Sequence, residues 1–261
     1  MDYIKEYYEN RDEDARLVSK HGSVEYITTM KYIHECAKAC GAARLLEVGA
    51  GTGRYSVALA KEGFDVTAVE LVAHNLDVLR SKLDGSEKLT ALEGNALDLS
   101  RFGDESFDLT LLLGPMYHLY TFEDKKKALL EAVRVTKKGG YILVAYCMNE
   151  ATVIQYVFCG GNLDTVLQND MLTPDWHCKS EPKEVFELIR TEQISALDET
   201  APVTRVKLVA TDGAAHYLRF LIDEMDEKTF AKWLEFHLAT CERGDLVGAS
   251  NHTLDILKKQ C

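Results

Sequence analysis

The chain has 261 residues, 46% of them hydrophobic and 28% charged, which is ordinary for a globular domain. Its 42 acidic and 30 basic residues give a formal net charge of −12 without a basic stripe, so we expect no nucleic-acid partner. The sequence has neither an apolar run of roughly 18 residues nor the basic and apolar start of a secretory signal, so we expect a cytoplasmic protein that does not enter a membrane.

The first 40 residues predict helices, with a break near His21 and Gly22. From there to Cys147, short apolar runs typical of buried strands alternate with helical patterns on short loops. Strands are predicted at 44–48, 65–71, 89–92, 107–113 and 141–146, and helices at 55–61, 74–83 and 123–135. This alternation indicates βαβ units, and therefore a parallel sheet with helices on both faces.

After Cys147 the alternation ends. The prediction is mostly helical or irregular for 150–180, helical for 182–197, a strand for 203–211, largely helical for 214–241 and a last strand for 252–258. We therefore predict one domain with a Rossmann-like, doubly wound and mostly parallel α/β sheet. Its parts, within 1–261, are an N-terminal helical cap (1–40), a cofactor-binding core (41–148), and lid helices inserted among the last strands (149–261).

The most informative stretch is Glu47–Gly53 (EVGAGTG), which directly follows the first predicted strand. Glycines let the backbone approach a ligand closely, and the next helix offers free N–H groups. A dinucleotide site would need G-x-G-x-x-G, but Arg54 stands where the third glycine belongs, so an NAD(P)-dependent oxidoreductase is the weaker alternative. The acidic Glu47 before the turn suits a cationic amine.

Further motifs follow in order. Glu70 ends the second strand, where a carboxylate can accept from both hydroxyls of a ribose. Together with Glu47–Gly53, Gly94–Ala96 and Phe107–Leu113, it resembles the successive motifs of the class I S-adenosylmethionine-dependent methyltransferases. The resemblance covers roughly residues 41–148, and its specificity lies in the ordered set.

The resemblance implies S-adenosylmethionine as the cofactor. Gly49 and Gly51 would line its methionyl part, Glu70 would hold the ribose, and Leu71 would pack on the adenine. Asn95 stands where the family often has Asp, and its amide oxygen can still accept from the adenine amine. The predicted cofactor-binding residues are Glu47, Gly49, Ala50, Gly51, Arg54, Glu70, Leu71, Asn95, Ala96 and Leu113.

The loop after the fourth strand, Leu113–Leu119, resembles the loop that lies between sulfonium and acceptor in bacterial small-molecule methyltransferases. It implies a small-molecule methyl acceptor and two candidate catalytic residues. His118 is predicted as the base or orienting partner of the acceptor, because its unperturbed pKa near 6.5 suits proton transfer. The other interpretation is that His118 packs the start of the next helix. Tyr117 is better suited to stacking or orienting.

The seven cysteines are scattered and odd in number, which favours reduced thiols over a disulfide framework. His34, Cys36 and Cys40 lie close together on one predicted helix, but three metal ligands from one helix would be unusual, so we predict no metal. The chain could form a homodimer. Besides the methyltransferase and the oxidoreductase, a non-catalytic binding module that keeps the fold is a third interpretation.

Overall fold

The structure, a computed structural model, describes residues 2–9 and 17–261. The strands are β1 (Arg44–Val48), β2 (Asp65–Glu70), β3 (Leu89–Glu93), β4 (Phe107–Leu112), β5 (Thr136–Cys147), β6 (Val203–Ala210) and β7 (His252–Lys259). They form one sheet in the order β3-β2-β1-β4-β5-β7-β6. Strand β7 is antiparallel to β5 and β6, and the other neighbours are parallel.

The helices cover both faces of this sheet. They are α1 (Asp2–Glu9), α2 (Lys20–Cys40), α3 (Arg54–Lys61), α4 (Ala73–Ser81), α5 (Phe122–Val135), α6 (Asn149–Thr152), α7 (Leu163–Gln168), α8 (Thr191–Asp198), α9 (Arg219–Asp223), α10 (Glu227–Thr240) and α11 (Gly244–Val247). The predicted doubly wound, mostly parallel α/β fold is therefore confirmed. Within the described ranges, no helix has the length and apolar character needed to cross a bilayer.

The two faces of the sheet bury separate apolar clusters. Successive side chains of a strand point to opposite faces, and β1 shows this directly. Leu46 packs in the cluster that contains α5 and α8, whereas Leu45 packs in the cluster that contains α2 and α3. The central strands β1 and β4 are buried along most of their length because both of their faces are covered.

Two helix predictions need correction. The predicted break at His21 and Gly22 lies inside α2, because Ser19 caps this helix by accepting the N–H of Gly22 at 3.2 Å. The predicted helix at 182–197 is wrong in its first half, where only the 3-10 turn Pro182–Glu184 precedes an extended segment.

The extended segment has a clear physical cause. Val185 has φ of 69°, a left-handed conformation that is strained for a β-branched residue and ends the turn. Beyond it, the N–H groups leave the helical pattern: Glu187 donates to the carbonyl of Tyr117 at 2.7 Å and Ile189 to that of Cys147 at 3.0 Å. Helix α8 begins only at Thr191.

The turns after β1 and β4 meet at the switch in strand order. Adjacent strands β1 and β4 lead into connections on opposite sides, which opens a crevice at their carboxyl ends. Gly49 has φ of 76°, and a Cβ there would lie 2.6 Å from Cδ of Pro115. The close approach of the two turns therefore requires glycine at position 49.

We expect Gly49→Ala to destabilise the protein more than Gly51→Ala. Both glycines have positive φ, so each substitution adds backbone strain on the order of 1–2 kcal/mol. A Cβ at Gly51 meets no atom within 4 Å, whereas at Gly49 it collides with Pro115, which adds about 1–3 kcal/mol of overpacking. The free energy of unfolding in urea measures the difference, and equal losses in the two variants would contradict the close approach.

Candidate functional site

A first cavity of about 250 Å³ opens at the carboxyl ends of β1, β2 and β4. All ten residues predicted to bind the cofactor line it, and so do both candidate catalytic residues. They are Glu47, Gly49, Ala50, Gly51, Arg54, Glu70, Leu71, Asn95, Ala96 and Leu113, with Tyr117 and His118. The structure thus brings the predicted set together, and the ligand that each residue contacts stays a prediction.

Glu70 links the two turns that form the floor of this cavity. One carboxylate oxygen accepts the N–H of Gly51 at 2.7 Å, and the other accepts the N–H of Val72 at 2.8 Å. Burial raises the pKa of Glu70, while these N–H donors act in the opposite direction. Its carboxylate is therefore both a structural tie and a group presented to the cavity.

Glu47 is the second buried carboxyl group of the cavity, with 1% of its surface exposed. The hydroxyl of Ser56, in the first turns of α3, donates to it. Burial raises the pKa of Glu47 to about 8, with a further upward contribution from neighbouring Glu70 and a downward one from Ser56. At neutral pH most of Glu47 is therefore protonated in the ligand-free protein.

Two other predicted cofactor residues already have partners within the protein. The side-chain oxygen of Asn95 accepts the N–H of Leu97 at 2.9 Å, a local turn typical of Asn. The guanidinium of Arg54 lies 4.7 Å from the ring centre of Tyr26, which stacks on Tyr55 at 5.3 Å. Both residues line the cavity while fixing its walls.

His118 is held at both ring nitrogens. Nδ1 lies 2.8 Å from the carbonyl oxygen of Val185, which can only accept, so Nδ1 carries the proton. Nε2 is then the acceptor for the hydroxyl of Tyr8 at 2.9 Å. Burial lowers the pKa of His118 to about 4, against the upward effect of the Val185 contact. The imidazole is neutral at pH 7, and its basic nitrogen is occupied.

His118 belongs to a group of five rings that we call the aromatic partition: Tyr7, Tyr8, Tyr117, His118 and Phe186. Neighbouring rings have centroids 4.8–5.9 Å apart, mostly edge to face or tilted. Tyr8 and Tyr117 line the first cavity and also a second one behind it. The hydroxyl of Tyr117 donates to the carbonyl of Leu113 at 3.0 Å, so this ring is fixed between the cavities.

The second cavity measures about 720 Å³. Its wall includes α1 and α2 of the predicted N-terminal cap, the π-helix Val153–Cys159 and the extended segment before α8. Parts of the two segments that the sequence analysis predicts as cap and lid, 1–40 and 149–261, therefore line this space. A π-helix is rare and often found at functional sites.

Three polar residues of the second cavity were missed by the sequence analysis: Glu25 from α2, Asp212 after β6 and His252 at the start of β7. Nδ1 of His252 lies 2.9 Å from Asp212 and 3.4 Å from Glu25. Among the residues that the structure describes, this trio is the grouping whose ligand atoms, all within 4.8 Å of one another, could hold a metal ion. No local sequence motif identifies this trio, because its members are far apart in sequence.

The protonation of the trio follows from its contacts. Burial by itself would lower the pKa of His252, but Glu25, the Cys147 thiol and the hydrogen bond to Asp212 raise it well above its usual range. Burial would likewise raise the pKa of Asp212, but its hydrogen bonds and its pairing with His252 hold it at about 2. At neutral pH His252 is an imidazolium and Asp212 a carboxylate.

The cap also contributes to the first cavity, where the sequence analysis selected no cofactor residue from it. Tyr3, Ile4 and Tyr8 of α1 line this cavity, as does Leu17. The sequence signal for a ligand-binding role of α1 is weak, because an aromatic and apolar face on a short helix more often serves only to pack against the core.

Comparisons with known proteins agree with this geometry. Residues 46–144 match a family model described as a methyltransferase domain. The chain is 36% identical over 101 residues to a demethylmenaquinone methyltransferase of Clavibacter sepedonicus, covering 39% of this chain and 40% of the relative. It is 27% identical over 175 residues to a glycine/sarcosine N-methyltransferase of Aphanothece halophytica, covering 62% and 63%. The chain thus spans less than two thirds of the length of these relatives.

Solved structures match over nearly the whole chain. A methyltransferase from Thermotoga maritima, described as a possible histamine N-methyltransferase, is 22% identical with a TM-score of 0.59 and full coverage of both chains. The CcbJ methyltransferase of Streptomyces caelestis is 14% identical with a TM-score of 0.60, covering 99% of this chain and 96% of that one. The likeness to these structures establishes the fold alone. The chain therefore has the fold of the class I S-adenosylmethionine-dependent methyltransferases, and its residues 46–144 match a methyltransferase domain.

Proposed function

We propose that this protein transfers a methyl group from S-adenosylmethionine to a small molecule, with the cofactor in the first cavity and the acceptor in the second. The observation that carries the proposal is the pair of carboxyl groups, Glu47 and Glu70, buried in the wall of the first cavity. Among the described residues (2–9 and 17–261), the groups that shift the pKa of Glu47 or of Glu70 include no basic side chain. Buried carboxylates normally have a partner, so this wall suits a ligand with positive charge and hydroxyl donors.

S-adenosylmethionine fits this set of groups. Glu47 would accept from its ammonium group. Glu70 would accept from the ribose hydroxyls, because a carboxylate has about four lone-pair positions and the N–H groups of Gly51 and Val72 take two. Leu71 would pack on the adenine.

When bound, S-adenosylmethionine supplies a methyl carbon on a positively charged sulfur, so the protein contributes mainly alignment. Positioning of this kind lowers a barrier by roughly 7–11 kcal/mol. The aromatic partition supports this role, because Tyr8 and Tyr117 belong to the walls of both cavities. Its rings would direct the acceptor toward the methyl group and exclude water from the path between them.

A small acceptor is supported by the second cavity. Its volume of about 720 Å³ lies within the roughly 300–1,000 Å³ of ordinary ligand pockets. The relatives are named for methylation of glycine, sarcosine and demethylmenaquinone, all small molecules. The oxidoreductase alternative receives no support, since Arg54 stands where a dinucleotide site needs glycine.

The geometry favours His118 as a positioning residue over a base. Its one basic nitrogen accepts the hydroxyl of Tyr8, a ring that lines both cavities. Its other nitrogen is fixed by the strained Val185. Strain of this kind is found where the surrounding structure enforces it, often at functional sites.

The central test is cofactor binding. We expect calorimetry to detect S-adenosylmethionine and S-adenosylhomocysteine but not NAD, and methyl-labelled cofactor to label a small molecule in a metabolite mixture. Glu70→Ala should lower the affinity for S-adenosylhomocysteine at least about tenfold, because charge-assisted hydrogen bonds contribute about 1.5–3 kcal/mol each.

Because Glu70 also ties two turns, its ribose contact needs a separate measurement. The parent should prefer S-adenosylhomocysteine over its 2′-deoxyadenosyl analogue, and Glu70→Ala should lose that preference. Asp65→Ala, at the exposed start of the same strand, is the matched control. If Glu70→Ala discriminates between the two ligands as the parent does, the assignment of Glu70 to the ribose is wrong. If the parent binds NAD tightly and binds neither S-adenosylmethionine nor S-adenosylhomocysteine, the proposed function is wrong.

A second prediction concerns the proton on Glu47. A folded-state pKa of about 8 means that the stability contributed by this proton is lost as pH rises through about 8. A cationic ligand favours the ionised form, so cofactor binding should release a proton and strengthen as pH rises from about 6 toward 8. Calorimetry in buffers of different ionisation enthalpy counts the protons released. Glu47→Gln should release fewer, whereas Glu93→Gln, at the exposed end of β3, should not change the count.

Unchanged proton release in Glu47→Gln would show that Glu47 is not the group that meets the ammonium.

A third prediction separates positioning from base catalysis at His118. His118→Asn and Tyr8→Phe both remove the hydrogen bond between these residues, so each should lower turnover by roughly tenfold. The double variant should be little worse than His118→Asn alone, because the hydrogen bond that Tyr8→Phe removes is already absent there. The pH dependence of turnover should be the same in these variants as in the parent. A much larger loss in His118→Asn alone, with one limb of the profile gone, would instead identify His118 as the base.

A further inference from the structure

The second cavity is lined by two chemically different groups of residues. The polar trio comes from α2, the loop after β6 and the start of β7. The other group comes from the π-helix, α7 and the chain between α7 and α8. We call its apolar members the apolar wall: Tyr156, Val157, Val166, Met171, Leu172, Phe186 and Leu188.

The apolar wall is built on a small hydrophobic cluster, separate from the two clusters that cover the sheet. The cluster consists of Val153, Val157, Val166, Leu163, Met171, Leu172 and Cys178. All of these except Val153 and Leu163 also line the cavity. The cluster therefore surrounds a space, and apolar side chains beside an unfilled space lack dispersion contacts on that side. Water fills such a space poorly, because it needs several polar partners.

The π-helix turns two consecutive residues toward the cavity. Its end shows the long hydrogen bonds of this helix type, from the N–H of Gly160 to the carbonyl of Gln155 at 2.8 Å. One turn then takes more than four residues, so residues four and five after Thr152 fall on the same face. Thr152, Tyr156 and Val157 all line the cavity. The rare helix type thus gives the apolar wall a broader surface than one α-helical turn would.

Two charged residues from the same part of the chain, Lys179 and Glu184, also line the cavity. Lys179 lies 2.7 Å from Asp170 and Glu184 lies 3.6 Å from Lys183, and the side chains of both partners are strongly exposed. These charges are therefore held at the rim, next to solvent, and the apolar wall keeps its character.

The apolar wall adjoins the place where methyl transfer would occur. Phe186 belongs both to this wall and to the aromatic partition, and its ring centre lies 5.9 Å from that of Tyr117. Tyr117 lines both cavities. An acceptor whose reactive atom lies at the partition would therefore extend the rest of its structure along the apolar wall.

We propose that the second cavity selects an acceptor with an apolar body, which packs on the apolar wall while the reactive group faces the aromatic partition. The inference rests on the proposed function, because it names the chemical class of the acceptor in that cavity. A small and wholly polar acceptor would leave the apolar wall unfilled. An apolar body would gain about fourfold in affinity for each CH₂ group that it buries there.

The experiment measures how affinity depends on the length of an apolar tail. The full chain, saturated with S-adenosylhomocysteine, is titrated with phenol and with 4-ethylphenol, 4-butylphenol and 4-hexylphenol, which are all uncharged at pH 7. Ligand-observed NMR and calorimetry should find affinity rising about threefold to fourfold per added carbon until the space is full. An ether tail of equal length, in 4-(2-ethoxyethoxy)phenol, should bind at least about tenfold more weakly than 4-hexylphenol.

Three results would overturn the proposal: equal affinity along the series, equal binding of the alkyl and ether tails, or tighter binding of glycine or sarcosine than of 4-hexylphenol.

Neighbouring residues of α7 provide a matched pair of variants that locate the contact. Val166 lines the cavity and is 2% exposed, whereas the next residue, Leu167, is 57% exposed. Val166→Thr keeps the branched shape but adds a hydroxyl to the apolar wall, so it should weaken 4-hexylphenol about tenfold and leave phenol unchanged. Leu167→Thr should change neither affinity.

A second variant tests the same wall by size. Leu172→Phe adds bulk to the apolar wall, so affinity should stop rising at a shorter tail while phenol still binds. Retained phenol binding shows that each variant is folded. Parent-like dependence on tail length in both Val166→Thr and Leu172→Phe would overturn the assignment to the apolar wall.

Cofactor binding separates this inference from the proposed function. If S-adenosylhomocysteine does not bind the parent, the proposed function fails and the inference fails with it. If S-adenosylhomocysteine binds and affinity does not depend on the tail, only the present inference fails.

Discussion

The carboxylate of Glu70 is the constraint on which the first cavity depends. Its two oxygens accept N–H groups from Gly51 and Val72, which belong to the turns after β1 and β2. A buried carboxylate that lost either donor would carry a large desolvation cost, so both turns are fixed relative to each other. This side chain thereby ties the turn before α3 to the residue before α4, and both turns line the cavity.

The sheet and the first cavity could be predicted because their signals are local. Apolar runs of strand length, short loops and helical periods specify a doubly wound sheet with little reference to distant contacts. Parallel strands then bring their carboxyl ends to one edge, so residues at or just beyond the ends of separate strands, such as Glu47, Glu70 and Asn95, meet there. Their grouping follows from topology once the strands are recognised.

The second cavity could not be predicted, because long-range contacts assemble it. Its polar residues come from three separate elements: helix α2 (Glu25), the loop after β6 (Asp212) and the antiparallel strand β7 (His252). In the sequence, none of them is distinguishable from an ordinary polar residue. The segment before α8 illustrates the same limit. Its sequence favours a helix, but hydrogen bonds to Tyr117 and Cys147 and the left-handed Val185 hold it extended against the site. Tertiary contacts override local propensity there.

Burial has opposite consequences in the two cavities, and the difference bears on catalysis. It keeps most of Glu47 protonated and His118 neutral, so these two groups add little charge to the first cavity until a cation enters. In the second cavity, paired carboxylates overcome burial and keep His252 charged. Neither histidine then has a free basic nitrogen at neutral pH: Tyr8 occupies that of His118, and His252 already carries its proton. Under the proposed function, the packed rings would align the reactants, and an acceptor that has to lose a proton would give it to a carboxylate or to solvent rather than to either of these histidines.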